Sequence, residues 1–360
     1  MRIAYIARSA VGAMGEAALL HYVRKMSGDH DVLVVQHRSA EAKVTEVPAN
    51  VKLTTVPDIP LEGRLSFVFG ELQEFQPDIV HLIQSPYCFD YVMRIKPLLP
   101  GTKWILDFRS PHVGTARDPI LRKFFHMQFF IDALLTHSME SLVTNIKWRF
   151  RKAYEIPPGV DQQGVRTSQR HSQLPERFVY VGSLSKTREI GFLVDAFAEF
   201  RRRHSNRVSL DLIGDGNDLA ELRRHVEEKG MMDFIHFAGL MPQDALWQTL
   251  ADYDAGIAYV PHRNFAMAPS LKAIEYIAAK LPVMASRTPG HEIFARKHNL
   301  AFQFFENELE DFCQSMTRFC EIPVSRDLIE QNHRNIQPLN WDRIIESHLT
   351  PVYKRLTRRR

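Results

Sequence analysis

Two textures alternate along the chain. In the first half, RIAYIA, DVLVVQ, VKLTTV, DIVHLI and KWILDF are short apolar runs rich in branched residues, and they read as strands. Apolar residues at helical spacing lie between several of them, first in GEAALLHYVRKM. The second half repeats the rhythm. RFVYVGSL, VSLDLIG, FIHFAG, AGIAYV and LPVMAS read as strands, and IGFLVDAFAEFRRR, GNDLAELRRHVEEKG and PSLKAIEYIAAK as helices. This alternation predicts an α/β architecture of two Rossmann-like domains facing a central cleft, each a parallel sheet covered by helices on both faces. The stretch YEIPPGVDQQGVRTSQRHSQLPER is rich in Pro, Gly, Gln and Ser and marks the passage between them. The expected division is 1–165, 166–335, and a C-terminal helix with a basic tail over 336–360, a candidate to pack back on the first domain.

Length and composition fit this picture. A chain of 360 residues suits two domains, and 45% hydrophobic with 24% charged residues is ordinary for a globular protein. No apolar run has the length of a bilayer span. The first residues, MRIAYIARSAVGAMGEAALL, lack the basic start and unbroken apolar core of a signal peptide. Cys88, Cys313 and Cys320 are too few and too scattered for a disulfide framework or a zinc site, so a reducing cytoplasm is expected. Lys and Arg exceed Asp and Glu by 46 − 42 = 4, a balance that does not suggest a nucleic-acid binder. The positive charge is clustered, in NIKWRFRK at 145–152 and YKRLTRRR at 353–360. Upstream, LRKFFHMQFFIDALL sets Phe124, Phe125, Phe129 and Phe130 beside Arg122 and Lys123. Aromatic rings next to cations suit a peripheral seat on an anionic membrane surface; a solvated helix face, a frayed tail and rings packed on the first sheet are the alternatives.

In open α/β sheets ligands bind beyond the carboxyl ends of the strands, so residues there carry the functional information. After the first strand, Gly12 and Gly15 form G-x-x-G leading into a helix start: either a loop that admits a phosphate or an ordinary tight turn. His81, Asp107 and Arg109 follow later strands and are acceptor-side or phosphate candidates, with an Asp107–Arg109 ion pair as the structural alternative. In the second half, Gly182 precedes a loop with Lys186 and Arg188, where cations suit a diphosphate but are equally compatible with solvated loop charges. Gly214 and Gly216 make a turn after the next strand, at the wall of a nucleotide base. The spacing of its acidic residues fits no standard calcium loop.

The segment SLKAIEYIAAKLPVMAS at 270–286 is a helix running into a buried strand, with a single carboxylate in the apolar helix. Ser270 and the residue before it mark the helix start, where free N–H groups of Ser270 and Leu271 can hold phosphate. Lys272 adds a positive charge, and Glu275, about one turn in, can accept from ribose hydroxyls. An exposed Glu275 pairing with Lys272 at i, i+3 is the alternative.

Taken together and in order, these residues resemble the retaining GT-B glycosyltransferases of family 4, in the variety with K-x-x-E-Y in the donor helix. IPPGVD at 156–161, FVYVGSLSKTREIGFLVDAF, LDLIGDGNDLAEL, IHFAGLMPQDALWQTLADYDAGIAYVP and SLKAIEYIAAKLPVMAS carry the likeness. The resemblance implies a GT-B fold, with an N-terminal acceptor domain and a C-terminal nucleotide-sugar domain. It implies a retaining sugar transfer from a nucleotide-diphosphate sugar to a hydroxyl, on a glycan or lipid-linked acceptor, with no metal and no cofactor beyond the co-substrate. It places Arg188 on the donor diphosphate, Glu275 on the ribose, and Gly12 with Gly15 near the donor phosphate and acceptor. Ser183, Met267 and Lys280 depart from the family pattern, where an arginine, a glutamate and a glycine are usual. A nucleotide-sugar epimerase, or a non-catalytic binding subunit on the same fold, is the rival reading.

Overall fold

The structure is a computed structural model; it describes residues 1–11, 17–37, 47–108, 123, 126–146, 152–169, 174–204, 208–262, 265–268 and 271–358. The chain forms two compact units: Met1–Pro158 with Trp341–Arg360, and Gly159–Asn340.

The first unit is built on a parallel sheet of β1 (Arg2–Ile6), β2 (Asp31–His37), β3 (Val51–Val56), β4 (Ile79–Ile83), β5 (Lys103–Asp107), β6 (Ala133–Thr136) and β7 (Ala153–Glu155). Their spatial order is β3-β2-β1-β4-β5-β6-β7. The central strands are buried on both faces, which is why they read as unbroken apolar runs: Ile3, Ala4, Tyr5 and Ile6 in β1, Val32 to Val35 in β2. The helix Leu61–Phe75 covers one face with Leu65, Val68 and Leu72, at i, i+3 and i+7. Each such side chain contributes about 1.5–3 kcal/mol by leaving water. The C-terminal helices Trp341–Ile344 and Thr350–Thr357 belong to this unit. The Trp341 ring stacks on His21 at 5.3 Å, and Lys25 Nζ lies 2.7 Å from Glu346.

The second unit repeats the architecture with β8 (Arg177–Val181), β9 (Ser209–Ile213), β10 (Ile235–Gly239), β11 (Ala255–Ala258), β12 (Val283–Ser286) and β13 (Gln303–Phe305). All pairs are parallel, in the order β10-β9-β8-β11-β12-β13. Helix Gly191–Arg203 buries Leu193, Val194, Phe197 and Phe200 in the core beneath the sheet. Two parallel-sheet α/β units are the expected fold class.

Residues 159–165, part of the stretch whose composition suggests a linker, are packed rather than loose. Val160 bridges to Asn340, and a short turn at Gln162–Gly164 follows. Among the described residues no helix is long and apolar enough to cross a membrane. Of the aromatic patch, Phe129 and Phe130 are exposed, at 56% and 48%. Phe124, Phe125 and residues 147–151 lie outside the described residues.

Candidate functional site

In the second unit, the carboxyl ends of neighbouring strands are tied together by glycines. The Gly182 N–H after β8 donates to the Ile213 carbonyl at 2.9 Å, and the Gly214 N–H after β9 donates to the Gly239 carbonyl at 2.9 Å. Gly214 holds φ at 147°, and a Cβ there would lie 1.9 Å from the Gly182 oxygen. Gly182 holds φ at 155°, and a Cβ there would sit 2.7 Å from Lys272 Cε and 3.0 Å from the Tyr180 hydroxyl. The backbone is thus brought against the cation by the absence of side chains. Gly216 is pressed on the Leu184 carbonyl, 2.4 Å from where its Cβ would be.

The loop with Lys186 and Arg188 is a 3₁₀ turn over Lys186–Arg188, closed by Glu189 at φ 50°. Lys186 is exposed, and its N–H donates to Asn217 Oδ1 at 3.2 Å, joining this loop to the turn after β9. Arg188 folds inward instead. Its guanidinium lies 3.8 Å from the centre of the Phe265 ring. Burial pulls its pKa below the usual arginine range, and the neighbouring Tyr180 opposes that shift.

The helix Leu271–Ala278 brings two further charges to the same place. Lys272 Nζ lies 5.1 Å from the centre of the Tyr180 ring. Burial and, secondly, the charge on Arg188 lower its pKa to about 7; Glu275 acts in the opposite direction. Glu275 is pushed up to about 7 by burial, against the opposing effects of Trp247 and Lys272. Both residues keep some exposed surface, while their charged groups are enclosed enough for burial to dominate. Among the described residues no ion pair joins them, so the simple i, i+3 pair of the sequence reading is not formed. Two cations thus stand close enough at this end of the sheet for the charge of Arg188 to lower the Lys272 pKa, with Glu275 opposing it.

Tyr276, next to Glu275, explains the E-Y pair. Its hydroxyl accepts from the Val181 N–H at 2.9 Å, and its ring fills the space a Cβ on Gly256 would take, 2.3 Å away. The tyrosine therefore fastens the helix to the end of β8 and to β11, and fixes where Lys272 and Glu275 stand. Trp247, in the helix Gln243–Thr249, lies beside the Glu275 carboxylate and favours its ionised form, although its indole N–H makes no hydrogen bond of regular geometry. Gly164 lets the indole lie flat against the chain: a Cβ there would meet it at 2.7 Å. Sequence reasoning missed Trp247. Its only local signal is an aromatic residue in an amphipathic helix, which reads as core.

Arg188, Lys272, Glu275, Gly182, Gly214 and Gly216 thus share one end of one sheet, with Lys186 at its exposed margin. Leu271 is 44% exposed at the start of its helix. Gly12, Gly15, Arg109 and Ser270 lie outside the described residues. His81 and Asp107 are in the first unit and are fully enclosed. His81 Nδ1 is 2.6 Å from the Tyr353 hydroxyl and Nε2 is 3.3 Å from Asp107 Oδ2. Burial raises the Asp107 pKa, and His81 opposes that rise. Lys280 sits at φ 59°, a conformation that favours glycine, and its Nζ is 2.7 Å from Glu330. Its departure from the family pattern is one of helix termination. Among the described residues no cluster of His, Cys, Asp and Glu is arranged to hold a metal ion.

Residues 175–321 match the family model described as Glycosyl transferases group 1. No curated protein sequence matches the chain significantly. Solved structures similar along nearly the whole chain include sucrose-phosphate synthase from Thermosynechococcus elongatus, with TM-score 0.75, 17% identity and 99% of each chain covered. HepE from Anabaena, solved with UDP, has TM-score 0.69 and 15% identity, covering 96% of this chain and 98% of that one. TarM from S. aureus, solved with fondaparinux, alpha-GlcNAc-glycerol and UDP, has TM-score 0.75 and 10% identity, covering 98% and 100%. At these identities the likeness establishes the fold, a GT-B fold of two Rossmann-like units. The matched span lies within the second unit and contains Gly182, Lys186, Arg188, Gly214, Gly216, Trp247, Lys272, Glu275 and Tyr276.

Proposed function

We propose that the chain is a retaining glycosyltransferase that moves a sugar from a nucleoside-diphosphate sugar to a hydroxyl of a glycan or lipid-linked acceptor. One observation carries the reading: Arg188 and Lys272 converge on glycine-tied strand ends, with Glu275 on the helix that supplies Lys272. The diphosphate sits against the two cations and the Gly182 backbone, and Glu275 accepts from the ribose hydroxyls. As the bond from the anomeric carbon to the phosphate oxygen breaks, its electron pair stays on the diphosphate. The added negative charge meets Arg188 and Lys272 already in place. The acceptor hydroxyl attacks on the face the phosphate leaves, and its proton passes to the departing phosphate oxygen. The positive charge that this step requires is present on side chains, so the proposed reaction is metal-independent.

Incubation with a panel of nucleotide sugars, with and without EDTA, tests the class of reaction through release of nucleoside diphosphate, transfer or epimerisation. In a parallel titration Glu275→Ala is expected to weaken UDP binding about 10–100-fold, the worth of hydrogen bonds to a charged acceptor, with the fold retained. Epimerised donor without transfer, or UDP affinity unchanged in Glu275→Ala, would contradict this reading.

The exposed rings of Phe129 and Phe130 lead us to propose in addition a peripheral contact with an anionic membrane surface on the cytoplasmic side. Sedimentation with anionic vesicles should carry the protein down at low salt and release it at high salt. Recovery in the supernatant under both conditions would remove the membrane from the proposal.

A further inference from the structure

Two buried polar atoms without hydrogen-bond partners lie near Lys272, the Tyr180 hydroxyl and His291 Nε2. A buried polar group left unpaired is costly, so each calls for a partner that arrives with a ligand or a water. His291 is the informative one, because nothing in the reaction above uses it.

His291 is fully buried, in the first turn of the helix Pro289–Lys297, just beyond the carboxyl end of β12. Thr288 caps that helix by accepting from the His291 backbone N–H. The ring Nδ1 lies 2.7 Å from the Ser286 carbonyl. A carbonyl only accepts, so Nδ1 carries the proton and Nε2, across the ring, presents a lone pair. Among the described residues nothing donates to it. The residue before it is packed on the segment 266–268: the Gly290 N–H donates to the Ala266 carbonyl at 2.7 Å, and a Cβ on Gly290 would lie 2.8 Å from the Met267 carbonyl carbon. His291 also feels the charge of Lys272, which joins burial in lowering its pKa to about 4. Near neutral pH the imidazole is therefore neutral, and with Nδ1–H given to Ser286 its Nε2 acts as an acceptor.

We propose that His291 is a specificity-determining residue that accepts a hydrogen bond from one hydroxyl of the transferred sugar. The inference rests on the nucleotide-sugar reading and deepens it. The sugar is attached to the diphosphate, so it lies within a few bonds of the cation that His291 senses. Met267, the buried neighbour, offers no oxygen or nitrogen side-chain acceptor in the same segment. Binding displaces the covering side chains and supplies the missing donor to Nε2. A site whose buried acceptor requires that donor rejects a sugar lacking it far more strongly than a site built only on shape.

The test compares wild type, His291→Phe and His291→Gln on the nucleotide sugar that wild type turns over best, on its singly deoxygenated analogues, and in a UDP titration. His291→Phe should lower kcat/KM by about 10–100-fold, with UDP affinity held within about twofold. His291→Gln, whose amide oxygen reaches toward the place of Nε2, should recover part of the loss. One deoxy analogue should be poor for wild type and no poorer for His291→Phe than the full sugar. Equal losses on every analogue, or UDP affinity falling in step with turnover, would show that His291 is only structural. If His291→Phe does not fold, His291→Gln and the deoxy series make the same comparison. A wild type that binds UDP but uses no nucleotide sugar would overturn the proposed reaction itself, and His291's role with it.

Discussion

Arg188→Ala is expected to lower the turnover of a nucleotide sugar by about 10²–10³-fold, the usual cost of losing a preorganised charge that meets a developing one. Nucleoside binding should change little, because in the proposed reaction the guanidinium serves the phosphate as the bond breaks. A second readout separates this role from simple anchoring. Lys272 is held down at about 7 by burial and by Arg188. Only its charged form attracts an anion, so pyrophosphate should bind fully below that pH and more weakly as pH rises through it. Removing Arg188 removes one of the two causes, so the Lys272 pKa rises and the fall in affinity moves to higher pH. Pyrophosphate is the useful probe because it has no ribose for Glu275 to hold; the charge on Glu275, also titrating near 7, and the probe's own ionisation act in both proteins, so the quantity read is the shift between the wild-type and Arg188→Ala profiles. His291 remains neutral throughout, at about 4, and Tyr180 is pushed above the range by burial. A pyrophosphate profile unmoved by the substitution would mean that the two cations do not share one anion seat. Turnover close to wild type would remove Arg188 from the reaction.

The sheets were legible because of where they are buried. Strands enclosed on both faces, such as β1, β2 and β8, are apolar through their central positions, and such runs stand out from any background. β6, β7 and β13 have only a few residues each and offered no comparable signal. The same logic governs the site. Glu275 and Lys272 were visible because charge inside an apolar helix demands a reason. Tyr276 was quoted beside them, yet its work, bridging to Val181 and covering Gly256, exists only once β8 and β11 are adjacent. Trp247 and His291 left no local trace that points to a site. Each sits in a helix whose pattern reads as ordinary core, and each matters through a partner distant in sequence: Glu275 for one, Lys272 for the other. The inward turn of Arg188 was likewise open, because a loop sequence does not say which of Lys186 and Arg188 faces solvent.

Gly214→Ala is expected to cost about 3 kcal/mol or more of stability and to abolish UDP binding by the second unit. Two separate penalties meet at this position. The φ of 147° is one that L-residues rarely adopt, and the new Cβ would fall 1.9 Å from the Gly182 carbonyl oxygen. That oxygen belongs to backbone and cannot rotate away, as a lysine side chain could. Gly182 must therefore move, and with it the strand end that lies against Lys272. Two other glycines apportion the loss. Gly230, at φ 66° with nothing within 4 Å of its Cβ direction, isolates the dihedral penalty; Gly230→Ala should cost about 1–2 kcal/mol and leave UDP binding intact. Gly191, at the start of its helix with open space around it, isolates neither; Gly191→Ala should be neutral or stabilising by up to about 1 kcal/mol. Urea unfolding of the three variants beside wild type, with UDP titration at low denaturant, gives the order directly. A Gly214→Ala variant no less stable than Gly230→Ala, and still binding UDP, would show that the contact between the two strand ends is not what shapes the anion seat.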